Sequence, residues 1–316
     1  MDKTDIILSM LLLAYSRISY RELAEKLNLS ANAVHKRIQT LINLGIIRKF
    51  TTKISISALQ AIMIFIYGKS EVESIGDLHQ KLNKHGSIWW VTIGGGNFIY
   101  IGAYLKSLSE TESIIDYIKN EALIPNPSFG IINPPPNNLS DKIEKILYPL
   151  DRQIISSLSS DSRKTIADIA DEIGVAAKTI RRRLSAMIRK ELLEFSIQWY
   201  PDASNDIITV IHIRLKPEAD KTTVANIMEK YFPNLLLHYR FINVPNELFC
   251  IVWTNTMKEL RDLLQSLADE NVVSSIVSNI LYTGYIFDTW RDELVKEKGA
   301  PLIKEPVKKK KPLTKS

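Results

Sequence analysis

The sequence has a single cysteine, Cys250, which lies in the apolar segment ELFCIVW. One cysteine cannot form an intrachain disulfide, and it excludes zinc sites built on several cysteines. A bilayer-spanning stretch is also lacking, because the apolar N-terminal run IILSMLLLAY is only about half of the roughly 20 residues that a transmembrane helix needs. Acidic residues precede that run where a signal peptide would carry positive charge. We therefore expect a cytoplasmic protein without membrane, metal or cofactor, and with Cys250 buried in a strand.

The body of the chain also lacks an excess of positive charge. The formal net charge is +6, but the segment from Lys296 onward contains eight lysines and two glutamates and accounts for all of it. This Lys- and Pro-rich tail cannot bury a core and is predicted to be disordered, serving either solubility or sequence-independent attraction to a polyanion. A specific site for a polyanion must therefore come from local clustering of basic residues.

One such cluster is the segment AAKTIRRRLSAMIRKEL at residues 176–192, whose apolar spacing predicts a helix. Between Ala177 and Lys190 it carries six Lys or Arg residues and no acid. At about 100° per residue, an apolar stripe from Ile180 to Ile188 leaves basic side chains on the other side of the helix. Opposite the stripe lie Lys178, Arg182 and Arg189, and at its edges lie Arg181 and Arg183.

This segment belongs to the second copy of a tandem repeat with an offset of about 146 residues. Asp5 aligns with Asp151 and Arg37 aligns with Arg183, and the apolar positions between them agree almost throughout. Each copy predicts three helices, the second and third joined by a short turn, followed by β-prone residues that we interpret as a hairpin. This order is typical of a winged helix-turn-helix.

The second helix of each copy carries its own start and stop signals. Ser19 and Thr165 are predicted N-caps, each with an acid three residues later. Asn28 and Gly174 stand where a left-handed residue usually ends a helix.

Downstream of each predicted winged helix, the order of apolar runs and helical segments is βαββαβ. Such a unit is a ferredoxin-like sandwich, so the predicted fold class is α+β, with two winged helix-turn-helix domains each followed by a ferredoxin-like domain. The Pro- and Asn-rich segment at 133–142 is interpreted as the linker. The predicted boundaries are 1–56 for winged helix one, 57–136 for ferredoxin-like domain one, 137–203 for the linker and winged helix two, 204–290 for ferredoxin-like domain two, and 291–316 for the basic tail.

The arrangement resembles the Lrp/AsnC family of transcriptional regulators, most closely in LDRQIISSLSSDSRKTIADIADEIGVAAKTIRRRLSAMIRKELL of copy two. The resemblance implies that the winged helix binds double-stranded DNA. It also implies that the βαββαβ domain forms homo-oligomers and binds a small effector, commonly an amino acid. The family's effector turn corresponds to GGGN at 94–97 in copy one, which makes Gly94, Gly95 and Asn97 candidate effector residues. A plain hairpin turn is the alternative interpretation of this glycine run.

We predict DNA contacts from the outward side of helix three in both copies and from the wing of copy one. In copy two these residues are Lys178, Thr179, Arg181, Arg182, Arg183 and Arg189. In copy one they are Asn32, Lys36 and Arg37, followed in the wing by Arg48 and Lys49. Arg182 is expected to reach base edges, whereas Arg181 and Arg183 are expected to hold phosphates. Copy one carries less charge, so it either reads different bases or serves assembly alone.

A fused siroheme decarboxylase-like enzyme is the alternative function, because such enzymes share this architecture and use His and Arg residues near one strand. The segment LHYRF contains His238 and Arg240, which alternation places on one face of a predicted strand with Tyr239 on the other. That enzyme class does not require an arginine-rich recognition helix. The sequence therefore favours a DNA-binding regulator without catalytic residues.

Overall fold

A computed structural model describes residues 1–72, 78–132 and 147–296, which form two copies of one α+β unit. The first unit consists of helices α1 (Lys3–Ala14), α2 (Tyr20–Leu27), α3 (Ala31–Asn43), α4 (Ile56–Leu59), α5 (Leu78–Leu82) and α6 (Thr111–Glu121), and strands β1 (Ile47–Ile54), β2 (Ile62–Lys69), β3 (Ile88–Gly94), β4 (Phe98–Leu105) and β5 (Ser128–Ile132). The second unit consists of helices α7 (Pro149–Ser159), α8 (Ile166–Ile173), α9 (Ala177–Arg189), α10 (Lys221–Lys230), α11 (Met257–Ala268) and α12 (Trp290–Lys296), and strands β6 (Leu193–Trp199), β7 (Ile207–Leu215), β8 (Leu235–Arg240), β9 (Glu247–Thr254) and β10 (Val273–Ile286). The predicted linker at 133–142 lies outside the described residues.

Helices α2 and α8 begin and end as their sequences predict. Ser19 and Thr165 each form a capping box, in which the cap side chain and the acid three residues later bond to each other's backbone N–H. Both helices end on a left-handed residue, Asn28 with φ 53° and Gly174 with φ 71°. The short turn to the recognition helix is therefore built alike in both units.

The predicted hairpin wing is wrong in both units. Each unit contributes one uninterrupted strand, and β1 pairs antiparallel with β6 in a two-stranded sheet shared between the units. The physical reason is the absence of Gly, Pro, Asn or Asp in either strand, so neither segment has a residue that favours a tight turn. Ile197 of β6 packs in the core of the first winged helix, and Ile54 of β1 packs in the core of the second, so each unit completes the other.

A pseudo-twofold axis relates the two winged helices. Ser16 and Ser162, which occupy equivalent positions of the repeat, lie with their hydroxyl oxygens 2.6 Å apart. Arg17 donates to the backbone carbonyl of Lys164 at 3.2 Å, and Arg163 donates to that of the equivalent residue, Ile18, at 3.1 Å. These reciprocal bonds make the two winged helices an intrachain pseudo-dimer.

The two ferredoxin-like domains share one sheet of eight strands, in the order β5-β2-β4-β3-β10-β7-β9-β8. Each half has the strand order expected of βαββαβ, and the halves join where β3 pairs antiparallel with β10. Apolar side chains on one face pack under α5 and α6 in the first half and under α10 and α11 in the second. The opposite faces of the two halves meet in an aromatic core around Phe65 and Phe249, whose rings stack with centroids 4.8 Å apart.

The two ends of this sheet also approach each other. The backbone N–H of Ile242 donates to the carbonyl of Ile131 at 2.9 Å, and the amide side chain of Asn243 bonds to both Ile131 and Phe129. The ring of Phe241 lies directly over Gly130, where an added Cβ would come within 2.2 Å of the ring. The sheet is therefore curled, and its inner face is enclosed. Cys250 is fully buried as predicted, and burial raises the pKa of its thiol to about 12.

The predicted start of the disordered tail at residue 291 is wrong by six residues. Residues 290–296 form α12, in which Val295 packs in the core of the second winged helix. Arg291 is buried, donates to the carbonyl of Ile54 and forms an ion pair with Glu194. The helix forms because these contacts bury its apolar side and pair its cation. The rest of the predicted tail, residues 297–316, lies outside the described residues.

Candidate DNA interface

Helix α9 presents unpaired basic side chains to solvent. Lys178, Arg181, Arg182 and Arg189 are exposed, and Thr179 is half-buried. Within the described part of the chain, none of the four cations has an ion-pair or hydrogen-bond partner. Ile180, Leu184 and Met187 are buried on the opposite side, as the helical spacing predicts. The helix can therefore offer four free cations to a polyanion without giving up an internal bond.

Helix α3 presents a weaker version of the same surface. Asn32 and Lys36 are exposed at the positions that Lys178 and Arg182 occupy in α9. His35 is also exposed, and its ring lies edge-on to Tyr20 at 5.4 Å. The outward side of α3 thus offers one free lysine where α9 offers several cations.

Arg37 and Arg183 are half-buried and form ion pairs within the protein, and their contact with DNA stays a prediction. Arg183 forms an ion pair with the buried carboxylate of Asp151, and its guanidinium stacks on Tyr148 at 4.4 Å. Arg37 forms ion pairs with Asp5 at 2.7 Å and with Asp2 at 2.8 Å. In each unit the pair ties helix three to helix one.

Hydrogen bonds to these carboxylates raise the pKa of both guanidinium groups, that of Arg183 through Asp151 and that of Arg37 through Asp5 and then Asp2. These ion pairs form because both arginines lie at the edge of the apolar stripe, where an acid on helix one is within reach.

Arg48 and Lys49 lie in the shared strand β1 and not in a hairpin wing. The guanidinium of Arg48 stacks on the buried ring of Tyr200 at 3.6 Å. Lys49 is half-buried and lies opposite Gln198 in the register of β1 with β6. Because the segment is a shared strand, no hairpin carries these two residues to DNA, and their contact with DNA stays a prediction.

The glycine run at 94–97 forms the hairpin turn between β3 and β4. This turn packs closely against β10, because an added Cβ on Gly94 would lie 3.1 Å from the carbonyl oxygen of Ile280. Gly95 is similarly close to the Tyr282 hydroxyl, and the carbonyl of Asn97 accepts a hydrogen bond from the backbone of Ser70. These contacts account for the glycines as packing positions, while effector binding by Gly94, Gly95 and Asn97 stays a prediction.

A cavity, which the sequence did not reveal, separates the shared β1-β6 sheet from the inner face of the eight-stranded sheet. Leu237 and Tyr239 of β8 line this cavity. His238 and Arg240 alternate to the other face of β8 and are exposed, as predicted. No sequence signal located the cavity, because its wall depends on the pairing of two strands about 146 residues apart in sequence.

The profile of the winged helix-turn-helix DNA-binding family matches residues 1–48, and that of the AsnC-type helix-turn-helix domain matches residues 149–188. An HTH-type transcriptional regulator of Pyrococcus horikoshii is 40% identical over 120 residues, which are 36% of this chain and 80% of the relative. A regulator of the same kind from Pyrococcus abyssi is 32% identical over 121 residues, which are 37% of this chain and 80% of the relative. Each relative therefore corresponds to about one of the two units.

Among solved structures, the siroheme decarboxylase NirDL has a TM-score of 0.58 and covers 94% of this chain and 98% of its own. Its sequence identity is 13%, so the likeness extends to the fold of the fused chain and no further. In the described ranges, no helix combines the length and the apolarity needed to cross a bilayer. Because an AsnC-type domain matches and the relatives are covered over four fifths of their length, the chain belongs to the Lrp/AsnC family of helix-turn-helix transcriptional regulators.

Proposed function

We propose that this protein is a sequence-specific DNA-binding transcription regulator in which α9 is the main reader of the DNA. The observation that carries the proposal is the set of free cations on α9, namely Lys178, Arg181, Arg182 and Arg189, on a helix without an acidic residue. A basic helix at the third position of a helix-turn-helix is the element that enters the major groove. Such a regulator acts on DNA in the cytoplasm.

The fused architecture supports a reader with unequal halves. The pseudo-twofold axis between Ser16 and Ser162 relates α3 to α9, as a true twofold axis relates the recognition helices of a symmetric dimer. Asn32 and Lys36 of α3 face outward where α9 has Lys178 and Arg182. We propose that α3 makes fewer contacts in the neighbouring groove and reads other bases. Further assembly of chains into homo-oligomers stays a prediction.

The proposed function is tested by fluorescence anisotropy on a DNA site selected from random sequence and on a scrambled duplex. Arg182→Ala is expected to cost roughly 1 to 3 kcal/mol on the selected site and to relax one base preference, because Arg182 lies opposite the buried stripe and is expected to reach base edges. Arg181→Ala is expected to weaken binding to both duplexes alike and to lower the slope of log K against log salt by about one, because a phosphate contact is sequence-independent.

Arg240→Ala is the matched control, because Arg240 is also an exposed arginine without an ion-pair partner in the described residues, but it lies on β8. It removes the same charge and is expected to leave binding to both duplexes unchanged. If Arg181→Ala and Arg182→Ala also bind both duplexes like the parent protein, α9 is not the DNA reader.

A siroheme decarboxylase-like activity is the second candidate, and the cavity between the layers is the observation that favours it. Against it stands the placement of His238 and Arg240, the candidate enzyme residues, on the face of β8 that does not line the cavity. Incubation of the protein with siroheme is expected to leave the absorbance spectrum unchanged and to yield no decarboxylated product. Turnover that His238→Ala abolishes would replace the regulator proposal.

A further inference from the structure

The cavity lies between the two layers of the molecule and is lined by both units. Its volume is about 260 Å³, and it is partly open to solvent. Thr51 and Lys53 of β1 and Ser196 and Gln198 of β6 form one wall. Seven of the eight strands of the large sheet contribute to the opposite wall, with β5 as the exception. A partly open space of this volume is close to the lower end of small-molecule pockets and can hold a small ligand.

Flat aromatic rings cover much of the wall on the side of the large sheet. Trp89 stacks on Tyr104 with centroids 5.4 Å apart and an interplanar angle of 9°, and Trp90 stacks on Trp89 at 5.9 Å. The Trp89 ring lies flat on the backbone of Gly102, where an added Cβ would come within 2.8 Å of the indole. The opposite side adds Trp199, whose ring nitrogen is buried and has no acceptor among the described residues. Such a wall favours a ligand with flat rings that can stack on it.

The charged groups in the wall are already paired within the protein. Lys53 forms an ion pair with Asp292 at 2.9 Å, and Arg291 forms one with Glu194. The remaining acid, Asp202, accepts a hydrogen bond from the backbone of Gly284 at 3.1 Å. Among the described residues, the wall therefore offers no unpaired cation to a carboxylate or phosphate. A ligand with several negative charges would have to displace an internal acid from its partner.

We propose that the cavity is a binding site for an uncharged, mostly apolar ligand with a flat ring system. The aromatic wall supplies stacking and apolar burial, and among the described residues the wall offers no unpaired cation that would favour an anionic ligand. A carbonyl or ether oxygen on the ligand would accept a hydrogen bond from the indole N–H of Trp199, for which the described residues provide no acceptor. This ligand differs from the amino acid that the family resemblance implies.

The position of the cavity gives the ligand a way to control DNA binding, and this part of the inference rests on the proposed function. Strand β1 begins four residues after the end of α3, and β6 begins four residues after the end of α9. Both candidate readers thus continue into the strands that form one wall of the cavity. A ligand that binds more tightly to one position of the shared sheet than to another shifts the sheet toward that position. The positions of both attached helices then change with it.

The site is tested with N-phenyl-1-naphthylamine, an uncharged aromatic dye that fluoresces in apolar surroundings. Gly284→Phe fills the cavity from β10, where a Cβ has no neighbour closer than 3.8 Å and so fits without a clash. Gln198→Phe fills it from the facing wall, which keeps the test valid if one variant fails to fold. Val277→Phe is the matched control, because Val277 lies on β10 outside the cavity and is 59% exposed.

We expect saturable binding of one dye per chain, at least tenfold weaker in either filled variant and unchanged in Val277→Phe. The absence of saturable binding, or equal binding by folded Gly284→Phe and Gln198→Phe, would overturn the site. A polycarboxylated porphyrin is used as a competitor of the dye. If it binds more tightly than the dye and the filled variants no longer bind it, the assignment of an uncharged ligand is overturned.

DNA affinity is then measured with and without saturating dye. We expect a change of at least about fivefold for the parent protein, the lower end of common allosteric coupling, and no change for Gly284→Phe. Dye binding without any change in DNA affinity would overturn the coupling. Because DNA binding is first measured without dye, failure of the proposed function is separate from failure of this inference.

Discussion

Helix one is tied to helix three by the same ion pair in both winged helices, Asp5 with Arg37 and Asp151 with Arg183. The second partner of the arginine differs between the units. Arg37 has another carboxylate, that of Asp2, whereas Arg183 stacks on the ring of Tyr148. Asp151 is buried to 1% exposure, and the side chain of Asp5 keeps 17%. In unit one the arginine therefore has two partly exposed carboxylate partners. In unit two it has one fully buried carboxylate partner.

The outward sides of the two recognition helices differ far more than their buried sides. Val34, Ile38 and Leu41 are buried in α3 as Ile180, Leu184 and Met187 are in α9. Packing restricts these positions in both units, because a core cannot change volume without cost. Packing does not restrict the outward positions, which can differ without loss of the fold. The difference between the outward sides is the basis of the proposal that the two units contact DNA unequally.

The largest expected effect comes from breaking the ion pair between helix one and helix three in each unit. Asp151→Ala leaves Arg183 largely buried without its carboxylate, so we expect a loss of about 3 kcal/mol in the free energy of unfolding, the lower end for a broken buried pair. Asp5→Ala should cost only about 1 kcal/mol, as a partly exposed pair would, because Arg37 keeps Asp2. Urea unfolding followed by circular dichroism measures both values.

The double variant Asp151→Leu with Arg183→Leu is the control for this first prediction. It removes both charges together and leaves no unpaired charge, although the backbone N–H of Tyr148 loses its bond to Asp151 in both variants, so it should be more stable than Asp151→Ala. Equal losses for Asp151→Ala and Asp5→Ala would show that the second partner, Asp2 or Tyr148, makes no difference.

The second prediction concerns the DNA site that the unequal readers select. Selection from random sequence should yield a site whose two halves differ, because α3 and α9 present different side chains to the two grooves. Arg182→Ala should relax preference in one half, and Lys36→Ala should weaken binding less and affect only the other half. A perfect inverted repeat as the best ligand would contradict unequal readers within one chain.

The sequence predicted the order of the elements because local signals determine them. The capping boxes at Ser19 and Thr165 and the left-handed ends at Asn28 and Gly174 depend only on residues within one or two turns of helix. The burial of Cys250 follows from the apolar segment ELFCIVW around it, and the opposite orientations of His238 and Tyr239 follow from strand alternation. These features need no knowledge of the partner element.

What the sequence did not predict depends on pairing between distant segments. The exchange of β1 and β6 is a property of both strands together, and nothing in either strand identifies its partner. The same holds for the ion pair of Arg183, which requires helix one to place Asp151 beside it. The cavity was missed for this reason too, since one of its walls exists only after the two strands have paired.

The third prediction compares the left-handed residues that end α2 and α8. Gly174→Ala should cost about 1 to 2 kcal/mol, because a Cβ is strained at φ 71° even though no neighbouring atom lies within 4 Å of it. Gly174→Asn should cost less, because asparagine already holds the equivalent position at residue 28 with φ 53°. Thermal unfolding of the two variants measures the difference, and equal losses would point to a cause other than backbone strain.

The smallest expected effect concerns the first turn of the recognition helices. The Ser30 hydroxyl caps α3 by accepting a hydrogen bond from the backbone N–H of Ala33 at 3.1 Å, whereas the equivalent residue of α9, Ala176, provides no side-chain cap. Ala176 already has an extended backbone with φ −54° and ψ 133°, close to that of Ser30, so a serine there can accept from the first turn without rearrangement. Ala176→Ser should therefore stabilise the chain by about 0.5 to 1 kcal/mol, and Ser30→Ala should destabilise it by about 1 kcal/mol. Hydrogen exchange of the first-turn amides measures each change locally. We expect slower exchange in α9 of Ala176→Ser and faster exchange in α3 of Ser30→Ala. Unchanged exchange in α9 of Ala176→Ser would mean that the free N–H groups at its start already have a partner as good as the hydroxyl, and the two helices would then differ in their outward side chains alone.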